Sequence, residues 1–485
     1  MSNNDLEKTN LAITRIKEDK IDEAETILSE INNPKSYFNA AIFSEKLNRL
    51  DLALKFYDRS IEIDKNYFKP LINKSKLIEK KGDVLSAIKC LNDALTIKTN
   101  LHYITYHNLG NLHVKLLNYK IALKFFIKSY KLNNNNLHSL HNIGNILEEI
   151  GKFNFSLRTY HRLIDIAKKR NTINDFPKTL LNRSLLLVKL GNYKDGLKDY
   201  EQRWLTPEFI NRKRNFGVKT WEKDQNILGK TLLVFNEQGL GDTIYFFGCL
   251  KELVKKKIKV VFLIQKPLKD LCKNIDKNII VISDKDKLPK FDYSVSLLSL
   301  PYYLNINEKK IENLRFKLKP EKVLVSNWKS ILSKNKKNIG ISWKSSQQKE
   351  SKNRTIDINQ ITYLFKENKD INFYCLHHEY ENNERQILNK FKNVKYYLGD
   401  KMSFSNTSAL CKNLDLVISN DTSVAHISCA TGTKTWILSR KNPSWLCPIN
   451  SSKSLRYPTA KYFNQQRFND WKSVIDKVSL DLKNL

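Results

Sequence analysis

Hydrophobic positions in the first 205 residues follow a helical period and fall into successive pairs of amphipathic segments. In five of these pairs a small residue is followed four positions later by a leucine or an aromatic residue. The small residues are spaced by 34, 35, 34 and 40 positions, and the pairs are Ala53 with Tyr57, Ala87 with Leu91, Ala122 with Phe126, Ser156 with Tyr160 and Gly196 with Tyr200. A small residue opposite a large one lets two antiparallel helices approach closely. The pattern predicts a stack of helix pairs.

This register resembles the tetratricopeptide repeat, in which small, aromatic and glycine positions recur together. Four copies fit from Pro34 to about Ile166, and a fifth follows from Pro177 to about Trp204. A degenerate leading copy is centred on Ala24. Repeat arrays of this kind bind partners more often than they catalyse reactions, so we expect the chemistry to lie elsewhere in the chain.

An asparagine occupies one position on the first helix of each of five repeats: Asn39, Asn73, Asn108, Asn142 and Asn182. In such arrays the first helix lines the concave groove. Carboxamides there can donate to and accept from the backbone of an extended peptide. The alternative is that asparagine is simply common at this position, or bonds between helices. The column is therefore a predicted groove for a partner, with a structural role left open.

After Trp204 short apolar runs rich in β-branched residues alternate with helical stretches, which is typical of parallel sheets built from strand, helix and strand units. The predicted strands are 231–235, 259–264, 278–282, 338–343, 371–376, 414–418 and 435–438. Residues 206–228 carry a basic run, Arg212 to Arg214, and are predicted to be a linker. The polar stretch 318–337 is predicted to join two sheets.

The first predicted strand runs into Gly239, Gly241 and Asp242, followed by an apolar helix to about Val254. Two glycines between strand and helix allow a ligand to approach backbone N–H groups at the helix start. Asp242 is either an ordinary residue of the first turn, favoured there by the helix dipole, or a general base. A dinucleotide site is disfavoured because Ile244 replaces the third glycine of the fingerprint. Gly229-Lys230-Thr231 precedes the strand and is not a P-loop.

A second polar turn follows the strand that ends near Ile418. It reads Asn420, Asp421, Thr422, Ser423, Val424, Ala425 and His426. Such a helix start presents N–H groups and hydroxyls to a phosphate. The alternative is an ordinary capped helix with a buried histidine.

Composition narrows the choice of partners and location. The chain has 84 Lys and Arg against 50 Asp and Glu, a net charge of +34. Because the lysines are spread throughout, and no recognition module with stacking aromatics is present, we expect no nucleic-acid partner. There is no run of about 18 apolar residues and no apolar signal core near Met1. We therefore expect a cytoplasmic protein without a transmembrane segment, and peripheral contact with a membrane stays open.

Metal and disulfide chemistry are not indicated. The seven cysteines are odd in number and never form a C-x-x-C pair, so we expect buried, reduced thiols. Asp284-Lys285-Asp286 has the spelling of a D-x-D motif, but it lies among lysines in a polar loop. We expect no metal site there. Only 14 glycines occur, about 3% of the chain against a usual ~7%, so each is expected where a side chain does not fit.

Taken together, several short motifs resemble bacterial tetratricopeptide proteins that carry a heptosyltransferase-like glycosyltransferase domain. They are EQGLGDT after the first strand, SLLSLP at 296–301, ISWK followed by Arg354, NDTSVAH at 420–426, and a tail with Tyr457-Pro458-Thr459 and Asp470-Trp471. The resemblance implies a helical repeat solenoid followed by a GT-B fold of two Rossmann-like domains, α + α/β in class. The expected bounds are 1–205 for the repeats, 206–228 for the linker, 229–325 for the acceptor-side domain, and 326–485 for the nucleotide-sugar domain with its closing helix.

The same resemblance implies roles for particular residues. Asp242 matches the catalytic base that deprotonates an acceptor hydroxyl. The donor's diphosphate and sugar are expected at Gly239, Gly241, Lys344, Arg354, Asp421, Thr422, Ser423 and His426. The loop from Ser345 to Asn353 departs from the family's wording, which leaves the placement of Lys344 and Arg354 open. No metal and no other cofactor is implied beyond the nucleotide-sugar substrate.

The resemblance thus implies an inverting, metal-independent glycosyltransferase whose repeats present a protein or glycan acceptor. Hexosyl, heptosyl and N-acetylhexosaminyl transfer are not distinguished. The alternative is a peptide-binding scaffold whose transferase-like domain is inactive. The enzymatic interpretation requires that the segments around 242 and 422 converge on one crevice, whereas the scaffold alternative does not.

Overall fold

The computed structural model describes residues 2–273, 275–345, 354–449, 451–452 and 454–485. It divides into two compact units, Met1–Lys169 and Arg170–Leu485. Within the described residues no helix is both long and apolar enough to cross a membrane. All seven cysteines are buried, as expected, and their thiols are free in this structure.

The first unit consists of antiparallel helix pairs. Their bounds are α1 Asn3–Lys17, α2 Ile21–Ile31, α3 Pro34–Lys46, α4 Leu50–Ile63, α5 Phe68–Lys80, α6 Val84–Ala94, α7 His102–Lys115, α8 Tyr119–Leu132, α9 Leu137–Glu149 and α10 Phe153–Lys169. Ala53, Ala87, Ala122 and Ser156 have no exposed surface, nor do the large residues four positions after them. The predicted packing of helix pairs is confirmed.

In two repeats the first helix of the pair carries a glycine because a larger residue would not fit there. A Cβ placed at Gly110 would lie 2.6 Å from the ring of Phe126, and one at Gly144 would lie 2.4 Å from the ring of Tyr160. Real Cβ atoms do not approach that closely, so the aromatic residue of the second helix fills the space that glycine leaves on the first.

The second unit begins with one more helix pair, α11 Pro177–Lys189 and α12 Tyr193–Tyr200, which contributes to the core of the α/β region. Val188, Leu197 and Tyr200 pack in the same hydrophobic cluster as Leu232 and Val234. The further helices are α13 Pro207–Ile210, α14 Leu240–Lys255, α15 Lys269–Cys272, α16 Leu300–Tyr303, α17 Lys322–Ile331, α18 Ile358–Glu367, α19 Asn382–Leu388, α20 Phe404–Asn413, α21 Ser423–Thr431 and α22 Trp471–Lys483. The stretch predicted to be a plain joint between sheets contains α17, which buries Trp328.

Two parallel sheets form the α/β region, as predicted. The strands are β1 Thr231–Phe235, β2 Lys259–Leu263, β3 Ile279–Ile282, β4 Tyr293–Ser296, β5 Asn338–Ser342, β6 Asn372–Cys375, β7 Val394–Lys395, β8 Leu416–Asn420, β9 Thr435–Ser439 and β10 Ala460–Asn464. The orders are β3-β2-β1-β4 and β10-β9-β8-β5-β6-β7. The strand order reverses between β1 and β4 in the first sheet and between β5 and β8 in the second. Ligands of open α/β sheets bind outside the carboxyl ends of strands at such reversals.

Buried ion pairs and hydrogen bonds in the second unit connect the segment after α12 to the first sheet. Arg203 is fully buried, and its guanidinium donates to Glu237 Oε1 over 3.0 Å and to Glu201 Oε1 over 2.7 Å. It also donates to Ser296 Oγ and Ser299 Oγ, at the end of β4 and just after it. Glu237 begins the turn after β1, so this network sets the position of that turn.

Candidate active site

The turns after β1 and β8 meet at one cavity of about 340 Å³. Its lining includes all the predicted catalytic and donor-binding residues except Lys344: Gly239, Gly241, Asp242, Arg354, Asp421, Thr422, Ser423 and His426. The prediction that the segments around 242 and 422 converge on one crevice is therefore confirmed. The individual roles of these residues stay predictions.

The two helices that carry the cavity approach each other closely at Gly241. A Cβ at this position would lie 3.0 Å from Cδ2 of His426 and 3.6 Å from the backbone nitrogen of Ser423. The first turn of α14 and the start of α21 thus face each other almost in contact. A side chain at 241 would therefore require the imidazole of His426 to shift.

Asp242 is the third residue of α14, and its carboxylate is half-buried in the cavity. Loss of solvent raises its pKa to about 6, and the charge of Asp421 adds to that effect. A hydrogen bond from Trp445 and the positive charge of Arg354 lower the pKa and limit the rise. The result is a carboxylate that is ionised at neutral pH yet more basic than an exposed aspartate, as a general base requires.

Trp445 holds this carboxylate and was not found from the sequence. Its Nε1 donates to Asp242 Oδ1 over 3.1 Å. The indole is stacked between the Tyr200 ring at 5.2 Å and the Phe246 ring at 5.6 Å. Tyr200 belongs to α12, so the last helix pair of the repeat type contacts Trp445, which in turn contacts Asp242. A lone tryptophan in a loop carries no sequence signal for this contact.

The opposite wall of the cavity is the start of α21. Thr422 occupies the N-cap position, but its side chain makes no capping hydrogen bond. Its hydroxyl instead lies 3.4 Å from Asn420 oxygens. The ordinary capped helix considered above is therefore not what the structure shows. A helix start without a side-chain cap presents its first N–H groups to an anion.

Asn420, which was not predicted as a site residue, connects the segments that form this wall of the cavity by hydrogen bonds. It is fully buried, and its Nδ2 donates to the carbonyls of Trp343 and Arg354 at 3.1 Å each. Arg354 in turn donates from Nη1 to the Asp421 carbonyl over 3.1 Å. These bonds keep a guanidinium group next to the start of α21.

A second guanidinium comes from the predicted linker. Arg212 lines the cavity and donates from Nη1 to the Glu237 carbonyl over 3.4 Å. It also stacks 5.1 Å from the Phe209 ring. The sequence analysis assigned the basic run that contains Arg212 to a linker and did not predict this contact with the cavity.

His426 is a buried, neutral residue of this site. Burial lowers the pKa of its imidazole to about 4, and the charges of Arg456 and Arg354 act in the same direction while Asp421 opposes them. Its Nε2 lies 3.8 Å from Asp421 Oδ1. Among the described residues, His426 Nδ1 and Asp421 Oδ2 are buried without a hydrogen-bond partner. Because these two unsatisfied atoms belong to residues that line the cavity, they are consistent with a site that a ligand or water completes.

Lys344 is the one predicted donor-binding residue that the structure does not bring to the cavity. Its ammonium lies 2.5 Å from Glu384 Oε2 and 5.6 Å from the Tyr380 ring centre. The loop between Lys344 and Arg354 falls largely outside the described residues, because 346–353 are not among them.

The Asp284-Lys285-Asp286 string has its carboxylates engaged by basic side chains. Asp284 pairs with Arg214 at 2.5 Å, and Asp286 pairs with Lys269 at 2.7 Å. These contacts, together with bonds to Ser283, hold the pKa of Asp286 down at about 2.

The five asparagines of the repeat column are half-buried. Asn142 Nδ2 donates to Asn111 Oδ1 over 3.0 Å, and Asn73 interacts with the Tyr57 hydroxyl. Asn108 Nδ2 is buried without a partner among the described residues. Bonding between helices therefore accounts for part of the column, and the predicted groove for a partner stays a prediction.

Sequence comparison identifies both parts of the chain. Residues 296–453 match the profile described as glycosyltransferase family 9 (heptosyltransferase), and residues 34–67, 103–136 and 139–173 match tetratricopeptide repeat profiles. The chain carries tetratricopeptide repeats followed by a glycosyltransferase family 9 domain. The matched range of the family 9 domain includes Arg354 and the turn from Asp421 to His426, but it begins after Asp242.

Individual relatives are distant. The TPR repeat-containing protein MJ1428 of Methanocaldococcus jannaschii is 27% identical over 244 residues, which are 44% of this chain and 42% of that protein. The match thus spans less than half of that relative's length. A glycosyl transferase family 9 structure from Veillonella parvula is 12% identical, with a TM-score of 0.39, over 54% of this chain and 91% of the other. YrrB, described as a TPR protein with an unusual peptide-binding site, is 19% identical with a TM-score of 0.31, over 38% of this chain and 93% of its own.

Proposed function

We propose that this protein transfers a sugar from a nucleotide-sugar to a hydroxyl group of a protein or glycan acceptor, with inversion at the anomeric carbon. The observation that carries the proposal is the position of Asp242, which faces the start of α21 and Arg354 across a single cavity. A base on one wall and an anion-binding turn on the other are the two parts that such a transfer needs.

The donor's diphosphate binds at the wall formed by α21 in this proposal. The N–H groups at Thr422 and Ser423 and the helix dipole attract its negative charge. The guanidinium groups of Arg354 and Arg212 add two positive charges at the same cavity. Donors that are already in place when charge develops on the leaving diphosphate contribute about 3 kcal/mol each.

Asp242 takes the proton of the acceptor hydroxyl in this scheme. The hydroxyl oxygen then forms a bond to the anomeric carbon as the bond from that carbon to the diphosphate oxygen breaks. The pair of electrons leaves with the nucleoside diphosphate. Because attack comes from the face opposite the leaving group, the configuration inverts. A general base of this kind contributes roughly 10²- to 10⁴-fold in rate.

The proposal includes no metal ion and no further cofactor. Two guanidinium groups and a helix start already supply positive charge at the expected position of the diphosphate. Neutral His426 fixes the separation of the two turns through its contact with Gly241, and it carries no proton in the reaction.

The repeats bind the partner protein or acceptor in this proposal. Tetratricopeptide repeats bind proteins, and the half-buried asparagine column offers carboxamides to a peptide backbone.

A thermal-shift panel of UDP-, GDP-, ADP- and CDP-sugars tests the proposal, because a ligand that binds only the folded protein raises its Tm. We expect one nucleotide class to stabilise the protein selectively, also in the presence of EDTA. NMR of the product then reports the anomeric configuration. The absence of stabilisation by every donor would overturn the proposal in favour of a binding scaffold.

A further inference from the structure

The large residue of the last helix pair of the repeat type makes contacts that its equivalent in an earlier repeat does not. In α10 this position holds Tyr160, whose hydroxyl donates to Asn145 Oδ1 of the same repeat over 2.8 Å. In α12 it holds Tyr200, whose hydroxyl accepts from Gln238 Nε2 over 2.7 Å. Gln238 lines the cavity that contains Asp242. The same repeat position thus serves packing within a repeat in one case and contacts the active-site turn in the other.

The ring of Tyr200 is one layer of an aromatic stack. The ring centres of Tyr200 and Trp445 are 5.2 Å apart with planes inclined by 16°, and those of Trp445 and Phe246 are 5.6 Å apart and inclined by 29°. Phe246 stands one turn after Asp242 on α14. The guanidinium of Arg203 lies 4.4 Å from the centre of the Tyr200 ring. The indole of Trp445 is therefore enclosed between a ring from α12 and a ring from α14.

The helix pair that carries Tyr200 is joined to both halves of the α/β region. The Tyr193 N–H, at the start of α12, donates to Glu308 Oε1, after β4 and α16, over 2.8 Å. Lys189 Nζ, at the end of α11, donates to Asn442 Oδ1 over 2.7 Å. Asn442 belongs to the same loop after β9 as Trp445. The pair is thus held on the side of the first sheet and on the side of the second.

The orientation of the indole determines its bond to the carboxylate. Trp445 Nε1 donates to Asp242 Oδ1 over 3.1 Å. An indole has this single donor, and its N–H lies in the plane of the ring, so the direction of the hydrogen bond follows the plane. Flat rings on both faces fix that plane while they leave the N–H edge free. A side chain at position 200 without a flat face would let the indole tilt and would weaken the bond.

We propose that Tyr200 is a positioning residue of the active site, whose ring fixes the indole of Trp445 in the orientation that holds the Asp242 carboxylate. Tyr200 acts through Trp445 and is not itself a catalytic residue. Its importance for catalysis rests on the function proposed above, whereas the placement of the carboxylate does not. The last helix pair of the repeat type then belongs to the catalytic part of the chain as well as to the repeat array.

The indole N–H signals of full-length protein labelled with ¹⁵N-tryptophan test this without any substrate. The chain has seven tryptophans, and Trp445→Phe removes one signal and so assigns it. That signal should titrate with Asp242, whose pKa is about 6, and Asp242→Asn should abolish the titration. The charges of Asp421 and Arg354 also act on this carboxylate. The pKa of His426, about 4, lies well below the range of the titration.

Tyr200→Met and Tyr200→Leu replace the ring with apolar side chains that have no flat face. The midpoint of the Trp445 titration should move upward by about half a pH unit or more, because a weaker indole bond lowers the pKa of Asp242 less. Either variant is sufficient if the other does not fold. Tyr200→Phe keeps the ring and should leave the midpoint in place.

Tyr160→Leu is the matched control, since it removes the tyrosine at the same position of another repeat. It should lower the Tm, because a buried ring is lost, but it should leave the Trp445 titration unchanged. An unmoved midpoint in Tyr200→Met and Tyr200→Leu, or an equal shift in Tyr160→Leu, would overturn the proposal. An equal shift in Tyr200→Phe would assign the effect to the hydroxyl group and would overturn it as well.

The role of Tyr200 and the proposed function fail in different experiments. An unmoved titration, with stabilisation by a nucleotide-sugar intact, overturns the role of Tyr200 alone. No stabilisation by any nucleotide-sugar, with the titration shifted as expected, overturns the glycosyltransferase function and leaves the positioning of the carboxylate in place. With an active transferase, the acid limb of the kcat/KM profile of Tyr200→Met should move upward together with the titration, and a limb that stays in place would contradict a role of Tyr200 in catalysis.

Discussion

Trp445 Nε1 lies 3.1 Å from Asp242 Oδ1, although the two residues are 203 positions apart in the chain. One comes from the first turn after β1 and the other from the loop after β9. This hydrogen bond brings a loop that follows a strand of the second sheet into contact with the Asp242 carboxylate, which follows a strand of the first sheet. The chemistry proposed for Asp242 therefore depends on both sheets and on the indole between them.

The pKa of Asp242 should respond to Trp445. Because the indole hydrogen bond lowers this pKa, Trp445→Phe should raise it above its value of about 6. Asp242 must be ionised to act as a base, so activity is lost as the pH falls through its pKa. We expect the acid limb of the kcat/KM profile to move upward by about one pH unit. Trp436→Phe, which changes an indole in β9 that packs 5.2 Å from the Phe463 ring, should leave the limb in place. An unmoved limb in Trp445→Phe would contradict the proposed coupling.

Donor binding should distinguish two cations that the sequence ranked equally. Arg354 lines the cavity, whereas Lys344 is paired with Glu384. Arg354→Gln should weaken nucleoside diphosphate binding about tenfold or more, because a charged donor to phosphate is lost. Lys344→Gln is the matched control and should change the Kd by less than about threefold. Equal losses in the two variants would show that Lys344 also reaches the phosphate.

Arg203 should be among the most sensitive positions for stability. Arg203→Met leaves Glu237 buried without its cation, which costs about 3 to 5 kcal/mol. The double variant Arg203→Met with Glu237→Gln should recover part of that loss, since the buried charge is removed. Arg59→Gln, which breaks an exposed ion pair with Glu62, serves as the control and should leave the Tm unchanged. Scanning calorimetry reports all three, and a double variant no better than the single would contradict the account.

Much of the fold followed from the residue pattern, for physical reasons. The repeat register was predictable because each small residue and its large partner must be buried together. The four such pairs of the first unit are all buried. The predicted strands correspond to β1, β2, β3, β5, β6, β8 and β9, which are mostly apolar runs. Among the strands of the described residues three were missed: β4 alternates serine with larger residues, β7 has two residues, and β10 exposes Lys461.

The site residues were predictable only where a local sequence motif marks them. Gly241, Asp242 and the turn from Asp421 to His426 follow strands directly, so parallel strand order alone brings them to sheet edges. Trp445 acts through a contact with a distant segment, and no local pattern marks it. Tyr200 and Asn420 belong to patterns that the sequence shows, but their contacts with Trp445 and with the carbonyl of Trp343 join distant segments and could not be predicted. Lys344 shows that a matching position in the sequence is not sufficient. Its ammonium pairs with the carboxylate of Glu384 instead of lining the cavity.

The central claim is that Asp242 is the base of a sugar transfer, and Asp242→Asn tests it most directly. The amide keeps the size of the side chain but accepts no proton. With the donor identified by the thermal-shift panel, the account predicts unchanged donor affinity and at least about a hundredfold loss of transfer rate. Asp270→Asn, an exposed aspartate of α15, is the matched control and should retain full activity. Transfer by Asp242→Asn at the rate of the unmodified protein would contradict the claim.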